Sequence, residues 1–239
     1  MYYEINEQVA SDVQAAASLD EGLRERVRAL VMRALVDRQA DPEAVKNVLR
    51  SALAGIDGGL AQRGEAAGEA VREAVKGVDE AVARSVYAMQ MALEEAWEQG
   101  RDFTDTDAKE AIDSMQVLED DLLATLKNAA DDSRGWMKGE FTDLAAHLAR
   151  TGTDTGDQVR DVMQRFNNRL IRVVKGSSAD VMTAASVSRS RLSEMTSGIL
   201  RGLADALDAR TGKADSGPVK GNERAIDMAN DMANDKAHD

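Results

Sequence analysis

The feature that most limits how this chain can fold is an apolar stripe recurring every eleven residues. Steps of eleven from Leu60 reach Val71, Val82, Leu93, Thr104, Met115, Leu126, Met137, Leu148, Val159, Leu170, Val181, Leu192 and Leu203, and only Thr104 is polar. Eleven residues make three turns at about 3.67 residues each, so the stripe stays on one side of an α-helix with a slight right-handed drift. Trp97, Phe141 and Phe166 fall on the same seam. Such a seam is an association surface, whether it meets its own chain, a sister chain or another apolar body.

The residues around the seam suit helices. Ala, Leu, Glu, Arg, Gln and Met are abundant, and proline occurs only at Pro42 and Pro218. These are good helix formers with little to interrupt them. Aromatics make up 3% of the chain and charged residues 31%, a balance that fits long or coiled helices better than a compact enzyme. The expected fold is all-α: long amphipathic helices with eleven-residue periodicity, folded into an elongated antiparallel bundle. A single helix from 60 to 210 would exceed ~200 Å at 1.5 Å per residue, leaving its stripe bare, so folding back at the breaks is the favoured arrangement.

Local signals divide the chain into three parts: residues 1–57 as a short-helix N-terminal subdomain, 58–210 as the long-helix repeat region, and 211–239 as a disordered acidic tail. In the first part Ile5, Val9, Val13 and Ala16 suggest one short helix over residues 2–17. Ser18 with Glu21 has the spacing of a capping box opening a second, whose stripe is Leu23, Val27, Leu30, Val31, Ala34 and Leu35. Asp41-Pro42-Glu43 is a strong restart, with an N-cap acid, proline at the first helical position and an acid beside the positive helix end. Gly58-Gly59 is expected to interrupt that third helix. Further breaks are expected over Gly100–Asp107, near Asp131–Gly135, at Thr151–Gly156 and at Lys175–Ser178. Glycines spaced by four at Gly64/Gly68, Gly135/Gly139, Gly152/Gly156 and Gly198/Gly202 read first as turn residues and second as points of close helix approach. Alanines beside the seam (Ala70, Ala74, Ala81, Ala92 and Ala96) would also admit a neighbouring helix closely.

Charge is segregated along the chain, whose formal net charge is −13. From Asp79 to Asp132 there are fifteen acids and four bases, whereas from Gln158 to Lys175 one acid stands against five bases, Arg160, Arg165, Arg169, Arg172 and Lys175. A basic amphipathic helix suits an anionic surface or an acidic partner. The favoured partner is this chain's own acidic stretch, or that of a sister chain. The overall acidity argues against nucleic acid, whose non-specific binding depends on bases neutralising phosphates.

No catalytic constellation is present, and an enzyme is not expected. The chain has no cysteine, which rules out disulfides, thiol catalysis and zinc–thiolate sites. His147 lies beside Leu144 and Leu148 without a partner at general-base or ligand spacing, and reads as a boundary residue. Asp102, Asp105, Asp107 and Glu110 lack the spacing and turn glycine of a calcium loop. No cofactor and no metal is expected. Neither a basic-then-apolar leader nor an apolar run of ~20 residues is visible, so a cytoplasmic setting is expected.

The alanine-rich stretch Gly64-Glu65-Ala66-Ala67-Gly68-Glu69-Ala70-Val71-Arg72-Glu73-Ala74-Val75-Lys76-Gly77-Val78 resembles three groups of amphipathic helical proteins. These are the phasins that coat polyhydroxyalkanoate granules, the late-embryogenesis-abundant stress proteins and the exchangeable apolipoproteins. The resemblance covers roughly 60–210 and lies in periodicity and composition. The valine-rich seam is more apolar than in the stress proteins, and the polar face lacks the cationic borders of apolipoprotein helices. A phasin-like resemblance implies a cytoplasmic, self-associating, non-enzymatic protein, a homo-oligomer that coats a granule or lipid surface. The alternative is a coiled-coil or helical-bundle scaffold that only self-associates.

Overall fold

A computed structural model describes residues 6–19, 21–36, 38, 41–98, 105–176, 194–198 and 200–205, with side chains of 42, 97, 105–112 and 167–176 excepted. Seven α-helices pack against one another, and no strand occurs among the described residues. They are α1 (Glu7–Ala17), α2 (Leu23–Leu35), α3 (Pro42–Leu60), α4 (Gly68–Glu98), α5 (Asp105–Asp132), α6 (Gly135–Thr151) and α7 (Asp154–Gly176). Two three-residue 3-10 turns, Ala61–Arg63 and Glu65–Ala67, join α3 to α4. Residues 194–198 and 200–205 are also helical. No helix among the described residues is long and apolar enough to cross a membrane.

Neighbour relations arrange the helices in two rows, α1–α3–α5–α6 and α2–α4–α7, linked across by α1–α2, α2–α3, α3–α4, α4–α5 and α5–α7. At 31 residues, α4 is the longest, roughly 46 Å at 1.5 Å per residue, and it touches α2, α3, α5, α6 and α7. It can do so because its apolar face is broad. Val71, Val75, Val78, Val82, Val86 and Leu93 are buried, and so are the flanking Ala74, Ala81, Ala88, Ala92 and Ala96. The alanines bring neighbouring backbones close on both sides of the valine line.

One continuous core runs from Val13 in α1 through Leu53 and Ile56 in α3, Val82 in α4, Leu122 in α5 and Phe141 in α6 to Val162 in α7. Leu200 and Ala204 join it, with Leu203 packed against it. The expected division after residue 57 falls inside α3, and the three N-terminal helices share this core with the long ones.

The local signals divide into those that hold and those that tertiary contacts override. Asp41 caps α3 as expected, its Oδ1 accepting from the backbone N–H of Glu43 at 3.1 Å and Ala44 at 3.3 Å. The breaks at 133–134 and 152–153 and the end of α7 at Gly176 sit within the expected stretches. Ser18 does not open α2: its hydroxyl donates back to the Gln14 carbonyl at 3.0 Å, closing α1, and Gly22 precedes α2 without a side-chain cap. Gly58-Gly59 does not interrupt α3, which continues to Leu60. A Cβ on Gly55 would lie 2.5 Å from the Ala10 carbonyl, and one on Gly59 would lie 2.6 Å from the Ala17 Cβ. These two glycines, four apart, let α1 lie directly on α3. Of the glycine pairs expected from sequence, Gly64, Gly135 and Gly152 adopt positive φ and serve as turn residues.

Candidate functional site

The predicted association seam is mostly spent inside the chain. Leu60, Val71, Val82, Leu93, Met115, Leu126, Met137, Phe141 and Val159 are at most 4% exposed. Leu148 and Leu203 are partly buried against the same core, and Phe166 is half-buried. Trp97 and Leu170 belong to described helices but their side chains lie outside the described set, while Thr104, Val181 and Leu192 lie outside the described residues altogether.

The predicted basic helix is α7, and it packs on α4 and α5, the helices of the acidic stretch. Arg160 and Arg165, the two of its bases whose side chains are described, do not make that contact. Arg160 pairs with Asp157 at 2.6 Å and Arg165 with Asp161 at 2.7 Å, all four on α7, Asp161 half-buried and the other three largely exposed. The side chains of Arg169, Arg172 and Lys175 lie outside the described set. Polar side chains join α7 to its neighbours instead. Gln158 Nε2 donates to Gln90 Oε1 at 2.9 Å, and Thr153 Oγ1 donates to Glu119 Oε1 at 3.3 Å.

The strongest of these contacts centres on Asp79, near the middle of α4 and 4% exposed. Its Oδ2 accepts the backbone N–H of Asp154 at 2.8 Å, and its Oδ1 accepts that of Thr155 at 3.0 Å and the Thr155 hydroxyl at 2.7 Å. Thr153 Oγ1 accepts the next N–H, that of Gly156, at 2.8 Å. A helix leaves its first N–H groups without intrahelical partners and presents partial positive charge there. Here Thr153 is the local N-cap and Asp79, from another helix, supplies two further acceptors. Burial pushes the Asp79 carboxyl up from its ordinary range, more than these hydrogen bonds pull it down.

Glu80, the next residue, faces α2. Both of its oxygens are held by guanidinium groups, one by Arg24 and the other by Arg28 at 2.8 Å. Burial alone would raise its pKa, but the two arginines together hold it below the ordinary glutamate value. Between α2, α4 and α7 a cleft of about 290 Å³ is lined by Arg28, Glu80, Ala83, Arg84, Tyr87, Asp154 and Gln158. Two further bridges join helices: Lys46 of α3 to Asp121 of α5 at 3.5 Å within one row, and Arg72 of α4 to Glu140 of α6 at 2.8 Å between the rows.

Chemically this is a set of interhelical clamps: carboxylates matched to helix N–H groups and to guanidinium groups. His147 is exposed on α6, and its main-chain carbonyl accepts the Thr151 hydroxyl at 2.9 Å. Among the described residues no group of three or more His, Asp or Glu is placed to hold a metal ion. Sequence reasoning located α7 and its charge but not Asp79 or Glu80. Neither residue differs locally from the exposed acids of the same helix, although their place beside Val78 and Val82 on the buried side could have marked them.

A family model matches residues 4–209, described as a family of unknown function, DUF6781. The chain belongs to this family. The match runs across all seven helices and the helical residues 194–198 and 200–205. No curated protein and no solved structure matches the chain.

Proposed function

We propose that this member of the DUF6781 family is a non-enzymatic helical-bundle scaffold that self-associates. The observation that carries this reading is the burial within one chain of nine seam residues, Leu60, Val71, Val82, Leu93, Met115, Leu126, Met137, Phe141 and Val159. A chain that coats a surface by its seam would need those residues outside. With them inside, association falls to the outer faces of the helices. The finer architecture belongs to the same proposal, an antiparallel bundle built on an eleven-residue repeat. In support, Glu119 of α5 meets Thr153 of α7 whereas Gln116 meets Met163, so numbering runs in opposite directions along the two helices. A cytoplasmic setting and a homo-oligomeric state are included, as the resemblance to phasins implies, with no nucleic-acid partner and no cofactor.

A phasin-like coat on a granule or lipid surface is the second reading. The observation favouring it is α7, which sets the exposed Met163 among the exposed Arg160 and Arg165, a mixture that suits an anionic interface. Helicity and sedimentation with and without polyester particles or anionic vesicles separate the two. The scaffold reading expects full helicity and self-association in buffer and no binding to particles. Low helicity in buffer that rises on particles would overturn it in favour of the coat.

A further inference from the structure

We propose that the cleft between α2, α4 and α7 binds a small zwitterion, a molecule that carries one carboxylate and one ammonium group as an α-amino acid does. The cleft lies within one chain, so the inference is independent of the self-association reading. Its volume, about 290 Å³, stands at the lower end of the range for ligand sites. Glu80, Arg84 and Tyr87 stand at i, i+4 and i+7 on α4, and Asp154 and Gln158 at i and i+4 on α7, so each set shares one strip of its helix. Arg28 of α2 closes the third side. Bonds between the same helices surround the opening: Glu80 to Arg24 and Arg28, Asp79 to the start of α7, and Gln158 to Gln90. The walls are therefore fixed before a ligand arrives, and little ordering is lost on binding.

The charges decide the ligand. Glu80 is occupied by two arginines, so that group keeps one positive charge, and Arg84 adds another on the same side. Across the cleft the α7 wall carries the negative charge of Asp154. Arg84 and Asp154 are both exposed to solute. Among the described residues neither side chain makes an ion pair or hydrogen bond, with the other or with any third group, and the Tyr87 hydroxyl makes none either. The Asp154 charge also works against the buried Asp79 carboxylate, whose pKa it helps to raise, so a cation beside Asp154 is favoured. Gln158 gives its Nε2 to Gln90 and keeps its Oε1 as an acceptor. A ligand carboxylate would take the Arg84 guanidinium and the Tyr87 hydroxyl, and its ammonium would take Asp154 and Gln158. Hydrogen bonds of this charged kind are the stronger ones. A simple anion or a simple cation would serve one wall and leave the other unserved.

The test is isothermal titration of the full chain with glycine, L-serine, L-glutamine, β-alanine and γ-aminobutyrate, beside acetate and propylamine as carriers of a single charge. At least one zwitterion should bind with a Kd below about 1 mM, and at least about tenfold more tightly than acetate or propylamine. Arg84→Gln and Asp154→Asn change exposed positions and should each weaken that binding at least about tenfold with helicity unchanged. At a hundredfold excess over its Kd the zwitterion should raise the thermal midpoint by roughly 5–10 °C. Amide chemical shifts of the wild-type chain give a readout that needs no variant: residues 83–87 and 154–158 should move on titration while those of α6 stay in place. The proposal is overturned if none of the five zwitterions binds at concentrations up to about 10 mM. It is equally overturned if both variants bind as wild type does, if acetate or propylamine binds as tightly, or if the shifts fall elsewhere.

Discussion

Replacing Asp79 with alanine removes the two oxygens that accept three hydrogen bonds at the start of α7. The N–H groups of Asp154 and Thr155 and the Thr155 hydroxyl would lose their carboxylate partner, and Thr155 is fully buried. Loss of an ordinary N-cap costs about 1–2 kcal/mol, and each buried donor left without a partner adds about 1–3 kcal/mol. Two effects offset part of this. The Thr155 hydroxyl can still donate to the Asp79 main-chain carbonyl, 3.1 Å away, and the substitution also removes a carboxylate whose burial is itself unfavourable. The net loss expected is about 2–4 kcal/mol. At about 2–4 °C per kcal/mol for a chain of this size, the thermal midpoint should fall by roughly 5–15 °C. Amide exchange at Asp154, Thr155 and the turn after them should accelerate well before that of α4. Asp79→Asn should lose less, because its side-chain oxygen still serves Thr155. A midpoint within ~2 °C of wild type for the alanine variant, with exchange at 154–158 unchanged, would refute the idea that a residue of α4 caps α7.

Glu80 and Asp79 should shape the pH dependence in opposite senses. The lowered pKa of Glu80 gives a contribution present above the ordinary glutamate pKa and lost as pH falls through the depressed value, so Glu80→Gln should flatten the acid limb of a stability–pH curve. The raised pKa of Asp79 gives a contribution present below the ordinary aspartate pKa and lost as pH rises through the raised value, a slope that Asp79→Asn should erase. Gly55→Ala places a methyl against the Ala10 carbonyl and should destabilise by about 1–3 kcal/mol. Gly139→Ala, with nothing near its Cβ, should instead be neutral or stabilise by up to about 1 kcal/mol; urea titration of both checks the contrast. Phe141→Ala empties a fully buried position and should cost about 3–5 kcal/mol, measured in the same way.

Helix existence was legible wherever the signal is local. Asp41-Pro42 carries its own geometry, since an aspartate and a proline specify a helix start without help from the rest of the fold. The seam was legible as periodicity, and its burial follows from the cost of leaving so many valines and leucines in water. The errors arise where a distant element decides. Ser18 and Glu21 have the spacing of a cap, yet the serine hydroxyl finds the Gln14 carbonyl one turn behind it. Gly58-Gly59 resembles a break because glycine weakens an isolated helix, whereas here α1 packs where a side chain at Gly59 would sit. Segregation of charge was visible, but Arg160 and Arg165 pair within α7 rather than with the acidic helices. The described polar contacts of α7 with α4 and α5 run through Asp79, Gln90 and Glu119, whose roles depend on where α7 begins relative to α4 and α5.

The cap from α4 to α7 joins residues 76 positions apart in the sequence, and this sets an order of assembly. A chain is made from its N-terminus, and folding units tend to form in that direction. The residues of α1 to α4 all precede Thr155 in the chain, so the carboxylate is synthesised before the helix it caps. The pairs α1–α3 and α2–α4 close shorter loops and lose less entropy in forming. The expected order makes α7 the last of the seven helices to be stabilised and the first to be released when Asp79 is removed. In pulse-labelled refolding, amides of α3 and α4 should gain protection ahead of those at 154–158, and the interval between them measures how long the growing bundle exists without its seventh helix.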